Sequence, residues 1–365
     1  MDAYRPTSLN EAVEFVREHS RVQVVGASTK SAMAKREPSA ALLCMTGLSG
    51  ITEHQPSEFL ITAAAGTSLA ELQEALHSHQ QYLPFDPPFV LQGATIGGTV
   101  AAGLSGAGRL RFGGLRDFIV GIKIIDGLGN VATGGGRVVK NAAGYDLPKL
   151  MIGSAGYLGV ITEVTLKVFP KPTHARTVSI RLGSLHESLR LQHHLTRSPI
   201  ELAAIDLTSE GTLWIRIEGE AQALESTTQR LRSLLQTHAI AAERLTIVED
   251  ATDVWKPLAD GSFANKDDRL VRVPLVPTQI TDVDASLNEM CVPRRYSAAG
   301  NVAWIAWPGE RPIQQLDECL RHHRLGGTVL RGDVVRYRIG VRPSPTMTAR
   351  VKQAIDPQNR FTGSP

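Results

Sequence analysis

RVVKNAAGYDLPKLMIGSAGYLGVITEVTLKVFPKP, residues 137–172, begins with spaced glycines and ends in a β-branched run. Its first part reads Lys140-x-x-x-Gly144-Tyr145-Asp146-Leu147, then Lys149-Leu150. Its second reads Gly153-Ser154-x-Gly156-x-Leu158-Gly159 and leads into Val160-Ile161-Thr162. The run 160–169 predicts a strand. Phe169-Pro170-Lys171-Pro172 then stops it, because proline cannot continue a helix or a central strand. Glycines just ahead of a strand keep side chains away from backbone that something else must approach.

Composition changes at that stop. Twenty-two of the 33 glycines precede residue 173, whereas Trp214, Trp255, Trp304 and Trp307 all follow it. The expected domains are therefore 1–172, built around a close backbone contact, and 173–365, built around a packed core. A formal charge of +3 over 365 residues gives no basic patch for nucleic acid. No apolar run is long enough to span a membrane. The start MDAYRPTSLNEA has no export signal, and Cys44, Cys291 and Cys319 have no paired spacing. Reduced, buried thiols and a cytoplasmic location are expected, with any membrane association made through partner subunits.

The local signals upstream are specific. Ser8-Leu9-Asn10-Glu11 and Ser68-Leu69-Ala70-Glu71 are capping boxes opening helices. Strands are expected at 21–25, 59–64 and 119–126, the last turning through Gly127-Leu128-Gly129 into a hairpin. Beyond 172, strands are expected at 177–182, 203–207, 213–218, 270–275, 302–307 and 328–331. Helices are expected at 185–195, 221–238, 281–290 and 313–323. This rhythm predicts a mixed, mostly antiparallel α+β domain of ferredoxin-like units.

Two other glycine-rich stretches accompany the first. GATIGGTVAAGLSGAGRLRFGG, residues 93–114, holds eight glycines. Thr95 suits a helix N-cap ahead of Gly97 and Gly98. Arg109, Arg111 and Arg116 offer charge to a diphosphate. Gly26-Ala27-Ser28-Thr29-Lys30 follows the first strand, where amides, hydroxyls and an ammonium suit phosphate oxygens. A P-loop would need glycine where Thr29 stands. A Rossmann fingerprint would need a third glycine that neither loop has.

Together these stretches resemble the FAD-binding domain of the vanillyl-alcohol oxidase (PCMH) type. Thr95-Ile96-Gly97-Gly98, Gly113, Asp117, the 125–127 turn and residues 156–162 carry the resemblance over about the first 170 residues. Within that family the Lys140–Leu147 pattern is similar to the FAD subunits of glycolate oxidases, the E type. The resemblance implies an α+β protein: a two-subdomain FAD-binding domain, then a substrate- or partner-facing cap. It implies that Gly26, Ala27, Ser28, Thr29 and Lys30 form one diphosphate loop. Thr95, Ile96, Gly97 and Gly98, with Ser105, Gly106, Arg111, Gly113 and Asp117, would form the other side. Gly159 and Ile161 would meet the adenosine end, and Lys140 and Tyr145 would lie nearer the isoalloxazine. With no histidine or cysteine in 26–30 or 93–114, noncovalent FAD is implied.

The resemblance has departures. Ala155 stands where an acidic residue is common in the family. The ending Asp356-Pro357-Gln358-Asn359-Arg360-Phe361 lacks the usual Asn-Pro. Related 2-hydroxy-acid dehydrogenases carry a Gly-Asp-Gly-Asn-x-His segment; here Ala298-Ala299-Gly300-Asn301-Val302 has no histidine. The adjacent pairs His193-His194 and His322-His323 point about 100° apart on a helix and make poor chelates, so no metal is expected. No catalytic base is assigned; Lys140, Tyr145 and Arg338 are stand-ins. Arg336 and Arg338 are expected on one strand face. Trp304 and Trp307 are expected on opposite faces of a strand, one in the core and one free to anchor a partner.

The expected function is that of an FAD-binding subunit of a glycolate oxidase, oxidising glycolate or a similar 2-hydroxy acid. Its partners would be a second flavin subunit and an iron–sulfur subunit. The alternatives are a free-standing D-lactate-type dehydrogenase and a non-catalytic flavin-fold subunit.

Overall fold

The computed structural model describes residues 3–136, 146–342 and 344–363. Two compact units divide the chain: Met1–Ser105 with Gly114–Pro170 and Pro343–Pro365, and Gly106–Gly113 with Lys171–Arg342.

The first unit starts with helix α1 (Leu9–Glu18), where Ser8 Oγ accepts the Glu11 amide at 3.3 Å. The Glu11 carboxylate turns back to the Thr7 amide at 2.8 Å. Strands β1 (Val22–Val25) and β2 (Ala41–Cys44) pair in parallel. A parallel pair needs a crossover of a dozen or more residues, and that crossover carries the loop 26–30. Then come β3 (Ile51–Gln55), β4 (Leu60–Ala64), helix α2 (Leu69–His77), β5 (Gln81–Tyr82) and helix α3 (Ile96–Ala102). After them run β6 (Ile119–Ile125), β7 (Val131–Gly135), β8 (Val160–Lys167) and β9 (Phe169–Pro170). Five of these form an antiparallel sheet in the order β3-β4-β8-β6-β7. Ala12, Val16, Val22 and Leu43 share a buried cluster with Ile125 and Val160, which joins the parallel pair to that sheet.

The second unit is one sheet with helices. Its strands are β10 (His174–Arg181), β11 (Ala204–Thr208), β12 (Thr212–Gly219), β13 (Leu245–Val248), β14 (Arg269–Pro274), β15 (Arg294–Ser297), β16 (Val302–Trp307), β17 (Gly326–Arg331) and β18 (Arg338–Gly340). They run antiparallel in the order β13-β10-β12-β11-β15-β16-β14-β17-β18. The helices expected here form at Leu185–Arg197, Ala221–Thr237, Ile280–Glu289 and Ile313–His322.

Several expectations change. The single cut at 172 becomes two units with crossing segments. Residues 106–113 join the second unit through Arg111, whose guanidinium meets Glu201 at 2.5 Å. The C-terminal residues return to the first unit. There Phe361 enters the α1 cluster, and Arg360 donates to the carbonyls of Val16, Arg17 and His19. The strand at Arg338 starts after Arg336, which is exposed outside it. Trp304 and Trp307 are both buried, so neither is a surface anchor. Cys44 is buried, but Cys291 is exposed and Cys319 only half-buried. His323 Nε2 lies 2.9 Å from Ser286 Oγ, and His194 stacks on His238 at 3.9 Å.

Candidate flavin site

A cleft lies within the first unit. Its walls come from five places: β1 and the loop after it, Met45 just after β2, Ala65 just after β4, helix α3 with its cap, and residues 155–161 leading into β8. Glycine and alanine supply eleven of its twenty lining residues, so a ligand there meets backbone. Among the described residues neither histidine nor cysteine lines it.

The loop after β1 is the polar wall. Ser28 takes a left-handed conformation, φ 54°, which is strained for a residue with a Cβ. Alternation of right- and left-handed residues turns successive amides toward one concavity, and such nests bind anions. The amides of Ala27, Ser28 and Thr29 make no hydrogen bond among the described residues. Lys30 lines the same cleft but is 7% exposed. Its Nζ donates to Thr29 Oγ1 at 3.0 Å and lies 5.4 Å from the Phe89 ring centre. Among the described residues no carboxylate offsets it, and burial pushes its pKa down to about 8. A buried ammonium beside free amides, with no acid of its own, fits a diphosphate.

Helix α3 contributes differently from expectation. Thr95 is its N-cap: Oγ1 accepts the Gly98 amide at 3.2 Å. The Ile96 amide donates to Thr67 O and the Gly97 amide to Ala65 O, each at 2.9 Å. The first amides of the helix are thus already used inside the protein. A Cβ at Gly97 would stand 2.6 Å from Ala65 Cβ and 2.8 Å from its carbonyl oxygen. The glycine is needed to seat α3 on Ala65, and the thin Gly98, Ala101 and Ala102 face is what the cleft meets. Gly159 has the same double duty, since a Cβ there would lie 2.8 Å from Ile125 O.

Ten expected positions line this cleft: Gly26 to Lys30, Thr95, Gly97, Gly98, Gly159 and Ile161. Ile96 lies in the core behind it. Ser105 Oγ accepts the Leu115 amide and Asp117 accepts the Gly114 amide, so both fix the turn at 114–117. Gly106, Arg111 and Gly113 belong to the second unit. Lys140 and Tyr145 lie outside the described residues. Sequence reasoning missed Val24, Val25, Met33, Ala34, Met45, Ala65, Ala101, Ala102, Ala155 and Gly156 as lining residues. Ala65 and Gly156 had a signal: each is a small residue beside a strand end, as Gly26 is.

A model described as FAD binding domain matches residues 4–135. Glycolate oxidase subunit GlcE of Escherichia coli is 34% identical over 240 residues, 66% of this chain and 67% of that one. The chain belongs to the GlcE family. These are FAD-dependent oxidoreductases, and FAD is the cofactor that this GlcE-family cleft suits. More distant relatives include mitochondrial D-lactate dehydrogenase [cytochrome] of Arabidopsis thaliana, 30% identical over 50% of this chain and 32% of that one. Glycolate oxidase subunit GlcD of Bacillus subtilis is 26% identical over 48% and 37%. The GlcE-family chain thus spans two-thirds of one relative and about a third of the others. Among solved structures, alkyldihydroxyacetonephosphate synthase overlays 98% of it on 75% of its own chain, with a TM-score of 0.70 at 13% identity, which supports the shared fold. Among the described residues no helix is long and apolar enough to cross a membrane.

Proposed function

We propose that this chain is the FAD-bearing subunit of a complex that oxidises glycolate, or a similar 2-hydroxy acid, to the 2-oxo acid. The observation that carries the reading is Lys30, without a carboxylate partner among the described residues, beside the unbonded amides of Ala27, Ser28 and Thr29, in a chain of the GlcE family. The amides of Ala27, Ser28 and Thr29 and the Lys30 ammonium would hold the diphosphate. The small-residue face of α3 would lie along the dinucleotide, and Gly159 and Ile161 would meet its adenosine end. Bound FAD supplies a two-electron acceptor; the residues around it supply binding, orientation and exclusion of water. We place the chain in the cytoplasm, with partner subunits (a second flavin subunit and an iron–sulfur subunit) taking the electrons onward and carrying any membrane attachment.

Two measurements test this. The purified chain should be yellow and should release its FAD on acid denaturation, because among the described residues no histidine or cysteine lines the cleft. Flavin that stays on the denatured polypeptide defeats the noncovalent assignment. Anaerobic glycolate should bleach the flavin when partner subunits are present. Full artificial-acceptor turnover by the chain alone would favour a free-standing dehydrogenase, and no bleaching in the complex would remove the oxidation reading.

A further inference from the structure

Most arginines of the nine-stranded sheet reach an acceptor through at least one nitrogen. Arg294 grips Asp284 through Nε at 2.6 Å and Nη2 at 2.7 Å. Arg295 Nε lies 2.9 Å from Asp206. Arg269 donates to the carbonyls of Pro308, Gly309 and Arg311, and Arg331 to those of Ala264 and Asn265.

Arg272 on β14 is different. It has no hydrogen bond or ion pair among the described residues; a buried Nε without a hydrogen bond is shared with Arg295 and Arg331, but those two reach acceptors through other nitrogens. Strand alternation sets its direction. A Cβ at Gly327 would sit 3.0 Å from Leu320 and 3.3 Å from Val273, so Val273 faces the helix Ile313–His322. Arg272, its neighbour in the strand, projects from the opposite face. Trp304 on β16 and Thr328 on β17 stand directly across from it. Protein surrounds the guanidinium closely enough to push its pKa down to about 10, and the nearby Arg109 repels it further. Arg109 opens the helix Arg109–Phe112, which packs on β11 of this same unit. A guanidinium buried with no acid among the described residues, and feeling the charge of a second guanidinium, is costly unless an anion joins it.

We propose that Arg272, with Arg109, forms an anion site on this sheet face that takes the carboxylate of a small organic acid. The planar guanidinium fork matches a carboxylate edge in two parallel bonds. The choice of a 2-hydroxy acid's carboxylate rests on the proposed oxidation; the anion site itself rests on the two arginines.

Oxalate, which cannot be oxidised to a 2-oxo acid, is the probe. Isothermal calorimetry on the FAD-loaded chain at fixed ionic strength should show one oxalate per chain. Arg272→Met should weaken it about tenfold or more, and Arg272→Lys and Arg109→Gln by less. Exposed Arg336→Met should bind oxalate as the parent does, and flavin content should be equal throughout. If Arg272→Met does not fold, Arg272→Lys and Arg109→Gln decide. No oxalate binding by the parent, or unchanged binding by the variants, overturns the site. Loss of FAD in step with oxalate assigns the arginines to the flavin phosphates and overturns the carboxylate. Oxalate binding without bleaching by glycolate defeats the oxidation reading and leaves the site standing.

Discussion

Lys30 concentrates the chemistry of the cleft in one residue. Its pKa is lowered from 10.5 to about 8 by burial, so the folded chain holds its proton less tightly than the unfolded one. Below about pH 8 both states are protonated and the cost to the fold is full. Between about pH 8 and 10.5 the unfolded chain binds more protons, so stability of the FAD-free chain should rise with pH, by about 3 kcal/mol over the window. FAD brings negative charge to the ammonium and should flatten that rise. Lys30→Met should remove the pH dependence, raise the melting temperature of the FAD-free chain at pH 7, and weaken FAD binding by about 1.5–3 kcal/mol. Urea unfolding from pH 7 to 10.5, with and without FAD, checks all three. A flat profile in the FAD-free parent would mean that another anion already meets Lys30.

At the scale of the element, α3 shows how one glycine serves fold and site together. Its first turn is fastened by Ile96 to Thr67, Gly97 to Ala65 and Gly98 to Thr95. Gly97→Val would drive a branched side chain into Ala65 and lift the helix off β4. The expected cost is about 1–3 kcal/mol of overpacking, with loss of FAD as a consequence of the lifted wall. Gly153 makes the contrast: it has φ +78° but nothing within 4 Å of a built Cβ. Gly153→Ala should cost only the backbone strain, about 1 kcal/mol, and keep the flavin. Thermal melts paired with flavin absorbance separate the two. Equal, small effects in both variants would mean that α3 tolerates displacement.

At the scale of the molecule, the last residues complete the first unit. Phe361 is 1% exposed within the α1 cluster. Lys352, held by Asp356 at 2.6 Å, donates to the carbonyls of Tyr157 and Phe361. Phe361→Ala should destabilise the unit by about 3–5 kcal/mol and lower FAD occupancy, although no part of the side chain lines the cleft. The four tryptophans all lie in the second unit, so far-ultraviolet circular dichroism must accompany fluorescence to see this loss. Wild-type stability in this variant would show that the tail is a passenger.

Sequence alone determined what local chemistry controls. Ser8, Ser68 and Thr95 each accept the amide three residues on, because a short hydroxyl before an amphipathic run has few better partners. The 119–135 hairpin and four long helices of the second unit followed from periodicity. Half of the residues lining the cleft were also legible, in the loop after β1, the start of α3 and the approach to β8. Tertiary structure decided whatever needed a distant partner. Strand β15, which begins Arg294-Arg295, was not among the expected strands; Asp284 and Asp206 neutralise the two arginines from elsewhere in the fold. The tail joined the first unit because Arg360 found three carbonyls at the end of α1, more than 340 positions away. Gly97 looked reserved for a ligand, and only the position of Ala65 revealed the packing that requires it. Spacing along the chain fixes caps, turns and faces; long-range pairing and the matching of buried charge depend on which elements the fold brings together.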